Sequence, residues 1–122
     1  LGLTDPVCGL GMGQTAELLA RDWKLTRDQQ DEFALRSHQK AEAARQRLAE
    51  EITPVYPRRG RDAAAVDTDN GVREGQTREA LAKLKAVFEK RGGTVTAGNA
   101  SQVTDGAAAL LVATESGLKR TG

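Results

Sequence analysis

Apolar and small residues recur with a helical period through the first forty residues. Met12, Ala16, Leu19 and Trp23 are spaced by four, three and four. That spacing predicts a helix over 12–23, with Met12 and Trp23 on its inner side. A second, longer helix is predicted over 26–48. Thr26 and Gln29 have capping-box spacing, so each side chain can serve the other's backbone N–H. Asp28 and Asp31 fall near the first turn, where negative charge is favourable. Phe33, Ser37, Ala41, Ala44 and Leu48 then define one narrow face of mostly small residues suited to close packing. Glu32 and Arg36 add a helical pair worth a few tenths of a kcal/mol, roughly 0.3.

The pattern changes after residue 51. Residues 52–56 alternate in the β manner, but Pro54 and Pro57 restrict them to an edge strand. Residues 63–70 read as an irregular connection, and Asp69-Asn70-Gly71 as a turn. A third helix is predicted from an N-cap at Thr77, with Leu81, Leu84 and Phe88 on one face and Glu79–Lys83 as an i,i+4 pair. The chain is organised around residues 92–112. There a β-branched piece, Thr94-Val95-Thr96, runs into an elbow of small residues, Ala97-Gly98-Asn99-Ala100-Ser101. Small residues on both sides of a bend allow backbone to approach a ligand or another backbone closely. After Asp105-Gly106, residues 107–112 are small and aliphatic, and period alone leaves strand and helix both open. Another helix starts near Glu115. The fold class is α+β, mainly helical with short edge strands.

Composition sharpens this picture. With 122 residues the chain has the size of one domain, and its 18 basic and 17 acidic residues nearly balance. That balance argues against nucleic acid or an anionic membrane as the main partner. The aromatics are Trp23, Phe33, Tyr56 and Phe88, so the core rests on Ala, Leu and Val and is thin enough to lean on a larger body. No apolar run approaches the roughly 20 residues of a membrane span, and no secretory signal pattern opens the chain. The lone Cys8 excludes an intrachain disulfide and fits a reducing, cytoplasmic compartment. Because the first residue is Leu1, the natural start is expected upstream.

Candidate chemistry is sparse. Gly9-Leu10-Gly11-Met12-Gly13 has no preceding strand and matches neither phosphate-loop pattern, so a close-packed turn is the better reading. His38 lies mid-helix without a neighbouring nucleophile or orienting group, which argues against a catalytic base. Arg58-Arg59-Gly60-Arg61 is either a solvated basic loop or a cationic rim for an anionic ligand. Arg73 reads equally as a surface salt-bridge residue or a ligand contact. Ser101 alone reads as a turn former, and the glycosylation pattern Asn99-Ala100-Ser101 as chance. Cys8 has no His or Lys nearby in sequence and reads as inert.

Three stretches carry a resemblance to a known family: Met12-Gly13-Gln14-Thr15-Ala16-Glu17, residues 26–40 from Thr26 to Lys40, and TVTAGNASQVTDGAAALLV over 94–112. In that order and spacing they resemble the thiolases, acyl-CoA acyltransferases. The resemblance implies a partial coenzyme-A-covering loop domain over 1–96. Over 97–122 it implies the truncated start of the C-terminal core, whose first strand is 107–112. It implies that Leu3 and Met12 line the channel of the pantetheine arm or acyl group, with Phe88 on the channel wall. Arg73 is placed at the adenine end of coenzyme A, Ala97 in the pantetheine tunnel, and the Ser101 hydroxyl on the pantetheine amide. Coenzyme A and acyl-CoA are then substrates, with no covalently bound cofactor and no metal. The rest of a thiolase core and a second or further copies, as a dimer or tetramer, are the implied partners.

Two departures bear on substrate. Gly11 stands where acetoacetyl-type relatives often carry His, which leaves the acyl chain open, and Ala80 replaces a serine that contacts the nucleotide in some relatives. The elbow sequence together with Gly11 leans toward the degradative type. The family's nucleophilic cysteine precedes this segment and its Asn-Glu-Ala-Phe, Gly-His-Pro and Cys-x-Gly-Gly-Gly motifs follow it, so no catalytic residue is assigned here and the chain alone is expected to be inactive. The rival reading is a non-enzymatic helical protein-interaction module that uses the Ala-rich faces, binds no coenzyme A, and tolerates Arg73→Ala and Ser101→Ala.

Overall fold

The computed structural model describes residues 3–57 and 64–121, with the side chain of Thr121 left out. The basic loop at 58–61 lies outside the described residues. Five helices run in chain order: α1 (Met12–Asp22), α2 (Arg27–Ala43), α3 (Arg45–Glu51), α4 (Arg78–Ala82) and α5 (Glu115–Thr121). β-structure among the described residues is confined to isolated antiparallel bridges, Thr4 with Gly11, Val55 with Val66 and Ala86 with Thr96. The arrangement is mainly helical, as the patterning predicts.

The helix starts follow local chemistry. At α2, the Gln29 backbone N–H donates to Thr26 Oγ1 at 3.2 Å while Gln29 Oε1 accepts from the Thr26 N–H at 2.8 Å. At α4, Thr77 Oγ1 accepts from the Ala80 N–H at 3.1 Å. α1 starts without a hydroxyl cap; Gln14 Oε1 accepts the Gly11 N–H at 2.9 Å instead. Between α1 and α2 the chain turns through Lys24, whose φ of 53° is left-handed.

The inner faces differ from those predicted. On α1 the buried residues are Glu17 and Ala20, while Met12, Leu19 and Trp23 are exposed, Trp23 at 76%. On α2 the buried residue is Asp31, and Phe33 is 70% exposed. Both helices are rotated so that a carboxylate rather than the largest apolar residue faces inward. The reason is hydrogen bonding: Glu17 meets backbone donors of the strand piece at 94–95, and Asp31 meets the Asn99 amide of the elbow. The predicted single helix over 26–48 is divided at Ala44 (φ −91°, ψ 3°), with no Gly or Pro to mark the break. The predicted face of α4 is also shortened: the helix ends at Ala82, with Leu81 fully buried and Leu84 and Phe88 beyond its end.

Among the described residues the buried set is small and half polar: Ala20, Leu81 and Val95 with Glu17, Asp31 and Thr96. α2 packs on α4 and α3. Polar bonds complete the joint. Arg27 pairs with Asp31 (Nε to Oδ2, 2.7 Å) and donates through Nη2 to the carbonyls of Leu81 (2.7 Å) and Leu84 (3.1 Å), covering the open C-terminus of α4. Residues 101–114 form neither helix nor bridge, and Val103, Leu110, Leu111 and Val112 are 83–91% exposed. The 107–112 run therefore has no pairing partner within the described residues.

Among the described residues Glu17 is the most densely bonded side chain. Its carboxylate accepts the Thr94 N–H (2.9 and 3.0 Å), the Thr94 hydroxyl (2.9 Å) and the Val95 N–H (2.9 Å). Burial works to raise its pKa. The bonds from Val95 and Thr94, helped by Arg21, outweigh that and hold it below the ordinary 4.5. Because the folded-state value is depressed, this stabilisation is present above about pH 4.5 and is lost as pH falls through the lower folded value. Glu17→Ala leaves the buried Val95 N–H and the half-buried Thr94 N–H without this acceptor and is expected to destabilise by about 3 kcal/mol in urea unfolding. Glu17→Gln is expected to flatten the loss of stability below pH 4.5; an unchanged acid limb in that variant contradicts the assignment.

Candidate functional site

The elbow at 96–101 is built by its own side chains. Asn99 Oδ1 accepts the Thr96 N–H at 2.8 Å, and Thr96 Oγ1 accepts the Gly98 N–H at 3.1 Å. The Thr96 carbonyl accepts from the N–H groups of Asn99 (3.3 Å) and Ala100 (3.0 Å). Asn99 Nδ2 donates to Asp31 Oδ1 (2.8 Å) and to the Thr94 carbonyl (3.0 Å), so one amide ties the bend to α2 and to the strand that leads into it. Gln30 Nε2 adds a bond to Thr94 Oγ1 at 2.9 Å. Gly98 is small for a reason: a Cβ there would lie 2.5 Å from Leu81 Cδ2 and from Leu84 Cδ1. The bend thus sits directly on the end of α4.

Beside the elbow lies a hollow of about 360 Å³, with Phe33, Ser37 and His38 of α2 on one side and Arg73 and residues 97–102 on the other. Three of the candidate residues, Arg73, Ala97 and Ser101, share it, and all three are exposed. A second hollow of about 620 Å³ shares Ser37, His38, Gly71 and Gln102 with it and reaches Asp69 and Asp105.

The other three candidates lie elsewhere. The Met12 N–H donates to the Leu3 carbonyl at 2.9 Å, and a Cβ on Gly13 would overlap the Phe88 ring. Leu3, Met12 and Phe88 are 59%, 57% and 45% exposed, so each keeps apolar surface free. Cys8 is exposed, beside Asp5, whose carboxylate accepts the N–H groups of Val7 (2.7 Å) and Cys8 (3.2 Å) and is held below its ordinary pKa by them. No group of three or more His, Cys, Asp or Glu suited to a metal ion exists among the described residues.

The model of the thiolase N-terminal domain matches residues 1–116. The chain belongs to the thiolase family. An acetyl-CoA acetyltransferase of Rhizobium meliloti is 51% identical over 99% of this chain, and one of Shinella zoogloeoides 47% identical over the same share. The chain spans 31% of the length of each of these relatives. Among solved thiolase structures, the Bacillus anthracis acetyl-CoA acetyltransferase superposes with a TM-score of 0.73 at 42% identity. That match covers 81% of this chain and 25% of the other. Human mitochondrial 3-ketoacyl-CoA thiolase in complex with CoA gives 0.71 at 39% identity, covering 84% and 25%.

Four residues that hold the elbow and its hollow in shape were not marked by the sequence of this thiolase chain: Glu17, Arg27, Asp31 and Asn99. Each is polar and is spent on structure: Glu17, Arg27 and Asn99 bond backbone groups, and Asp31 bonds the side chains of Arg27 and Asn99, so no catalytic or ligand pattern marks them. The available signal was local: an Asn flanked by Gly and Ala in a tight bend has few roles besides bonding its own backbone. Asn99→Ala is expected to cost about 2 kcal/mol in urea unfolding. Asn99→Asp is expected to cost more, because a second carboxylate replaces the donor that Asp31 now accepts from. The reverse order of the two variants contradicts this account of the elbow.

Proposed function

We propose that this chain supplies the coenzyme-A-binding wall of a thiolase that transfers acyl groups between 3-ketoacyl-CoA or acetyl-CoA and coenzyme A. The observation that carries the reading is the gathering of Arg73, Ala97 and Ser101 around one hollow beside the elbow. Such a place suits the long, amide-bearing pantetheine arm: small residues admit it, a hydroxyl can bond its amide, and a guanidinium stands by for anionic or aromatic groups. Leu3, Met12 and Phe88 are assigned the apolar channel wall. Their exposed surface is available for that purpose.

The division of labour follows the same reading, with the loop domain over 1–96 and the start of the second core half over 97–122. The exposed apolar run at 107–112 is then a core strand that pairs with thiolase chain beyond this segment. Assembly into a dimer or tetramer, a cytoplasmic setting, and inactivity of these residues alone belong to the proposal. No described helix is long and apolar enough to cross a membrane.

Calorimetric titration of the chain with coenzyme A tests the reading. Weak binding is expected, with a Kd on the order of 1 mM. Arg73→Ala and Ser101→Ala are each expected to weaken it about 5-fold while leaving the unfolding midpoint unchanged. Binding that neither substitution alters removes the site assignments, and no heat at saturating ligand favours the protein-interaction module.

A further inference from the structure

The segment that carries Arg73 contains no helix or bridge of its own. It is held by one stripe of side chains on α2 and α3, spaced four and three residues apart. His38 Nδ1 accepts the Arg73 N–H at 3.2 Å, Arg45 forms an ion pair with the Glu74 carboxylate, and Glu42 Oε2 accepts the Gly75 N–H at 3.4 Å. Three successive residues are therefore fixed by three side chains of one helical face, just before the chain turns through Gly75 at φ 61°. Of the three, His38 alone also lines the hollow that Arg73 lines. It is half-buried, and the bond that its Nδ1 accepts from the Arg73 N–H fixes the ring's orientation toward Arg73.

We infer that His38 is the positioning residue for Arg73: its Nδ1 locks the Arg73 backbone so that the guanidinium is presented to the hollow and its anionic ligand. The inference rests on the coenzyme A reading above and adds a residue to it. A salt-bridged surface loop would not need an aromatic acceptor at its first residue, since Arg45 and Glu42 already anchor the next two. The His38 bond is the one that sets the backbone at Arg73 itself. Without it the guanidinium samples more orientations, and the ordering cost falls on ligand binding.

The test compares His38→Leu, which keeps bulk and removes the acceptor, with His38→Asn, whose Oδ1 can stand in for Nδ1. Arg73→Ala is the reference, and coenzyme A is the titrant. His38→Leu is expected to weaken coenzyme A binding about 3- to 5-fold and to speed hydrogen exchange at the Arg73 amide. His38→Asn is expected to restore both toward the unaltered chain. In the His38→Leu, Arg73→Ala double variant the two losses are expected not to add. If Arg73→Ala weakens binding and His38→Leu does not, the positioning role is overturned while the coenzyme A reading stands. If Arg73→Ala has no effect, the reading itself fails and the inference falls with it. Failure of His38→Asn to rescue, with both His38 variants unfolding early, marks His38 as merely structural and also overturns it.

Discussion

Everything near the elbow depends on the carboxylate of Glu17. It is almost completely buried, yet among the described residues it meets no lysine or arginine at hydrogen-bonding distance; its partners are two backbone N–H groups and one hydroxyl from Thr94 and Val95. Those N–H groups belong to a strand piece with a single bridge, to Ala86, and so with few sheet partners to satisfy them. A buried N–H without an acceptor is costly. The acid on α1 takes the place of a neighbouring strand. It fixes where residues 94–96 lie and hence where the bend begins.

From there the constraint is passed along by polar groups rather than by apolar bulk. Asn99 closes the bend and reaches Asp31, Asp31 holds Arg27, and Arg27 covers the carbonyl end of α4. Leu81 at 0% exposure is the apolar pin under this network, and Gly98 leaves room for it. A thin core of Ala20, Leu81 and Val95 is too small to order a chain of this length by burial alone. Directional bonds define the hollow's rim, which explains how a wall made largely of Ala, Gly and Ser can keep a definite shape.

Local signals were legible in the sequence wherever they were self-contained. The capping box at Thr26 and the cap at Thr77 follow from residues within one turn, and the helix predicted over 12–23 is found at Met12–Asp22. The family was legible too, because its three motifs stand in order along the chain. Which helix face turns inward was not legible. Apolar periodicity put Trp23 and Phe33 inside, and both are exposed, because the inward faces are selected by carboxylates whose partners lie more than sixty residues away. The break at Ala44 was hidden for a similar reason. Past it Arg45 pairs with Glu74, a contact that no helical period encodes. The candidate residues split likewise: Arg73, Ala97 and Ser101 meet at one hollow, whereas Leu3, Met12 and Phe88 gather near the start of α1.

In the proposed function, the elbow held by Glu17 and Asn99 forms one side of a coenzyme A site. The most direct measurement is the map of backbone amide shifts in the 122-residue chain as coenzyme A is added. The largest changes are expected at Arg73 and residues 97–102, with smaller ones at Leu3, Met12 and Phe88. Changes scattered over the Ala-rich surfaces of α2 and α3, or confined to the exposed 107–112 run, contradict it.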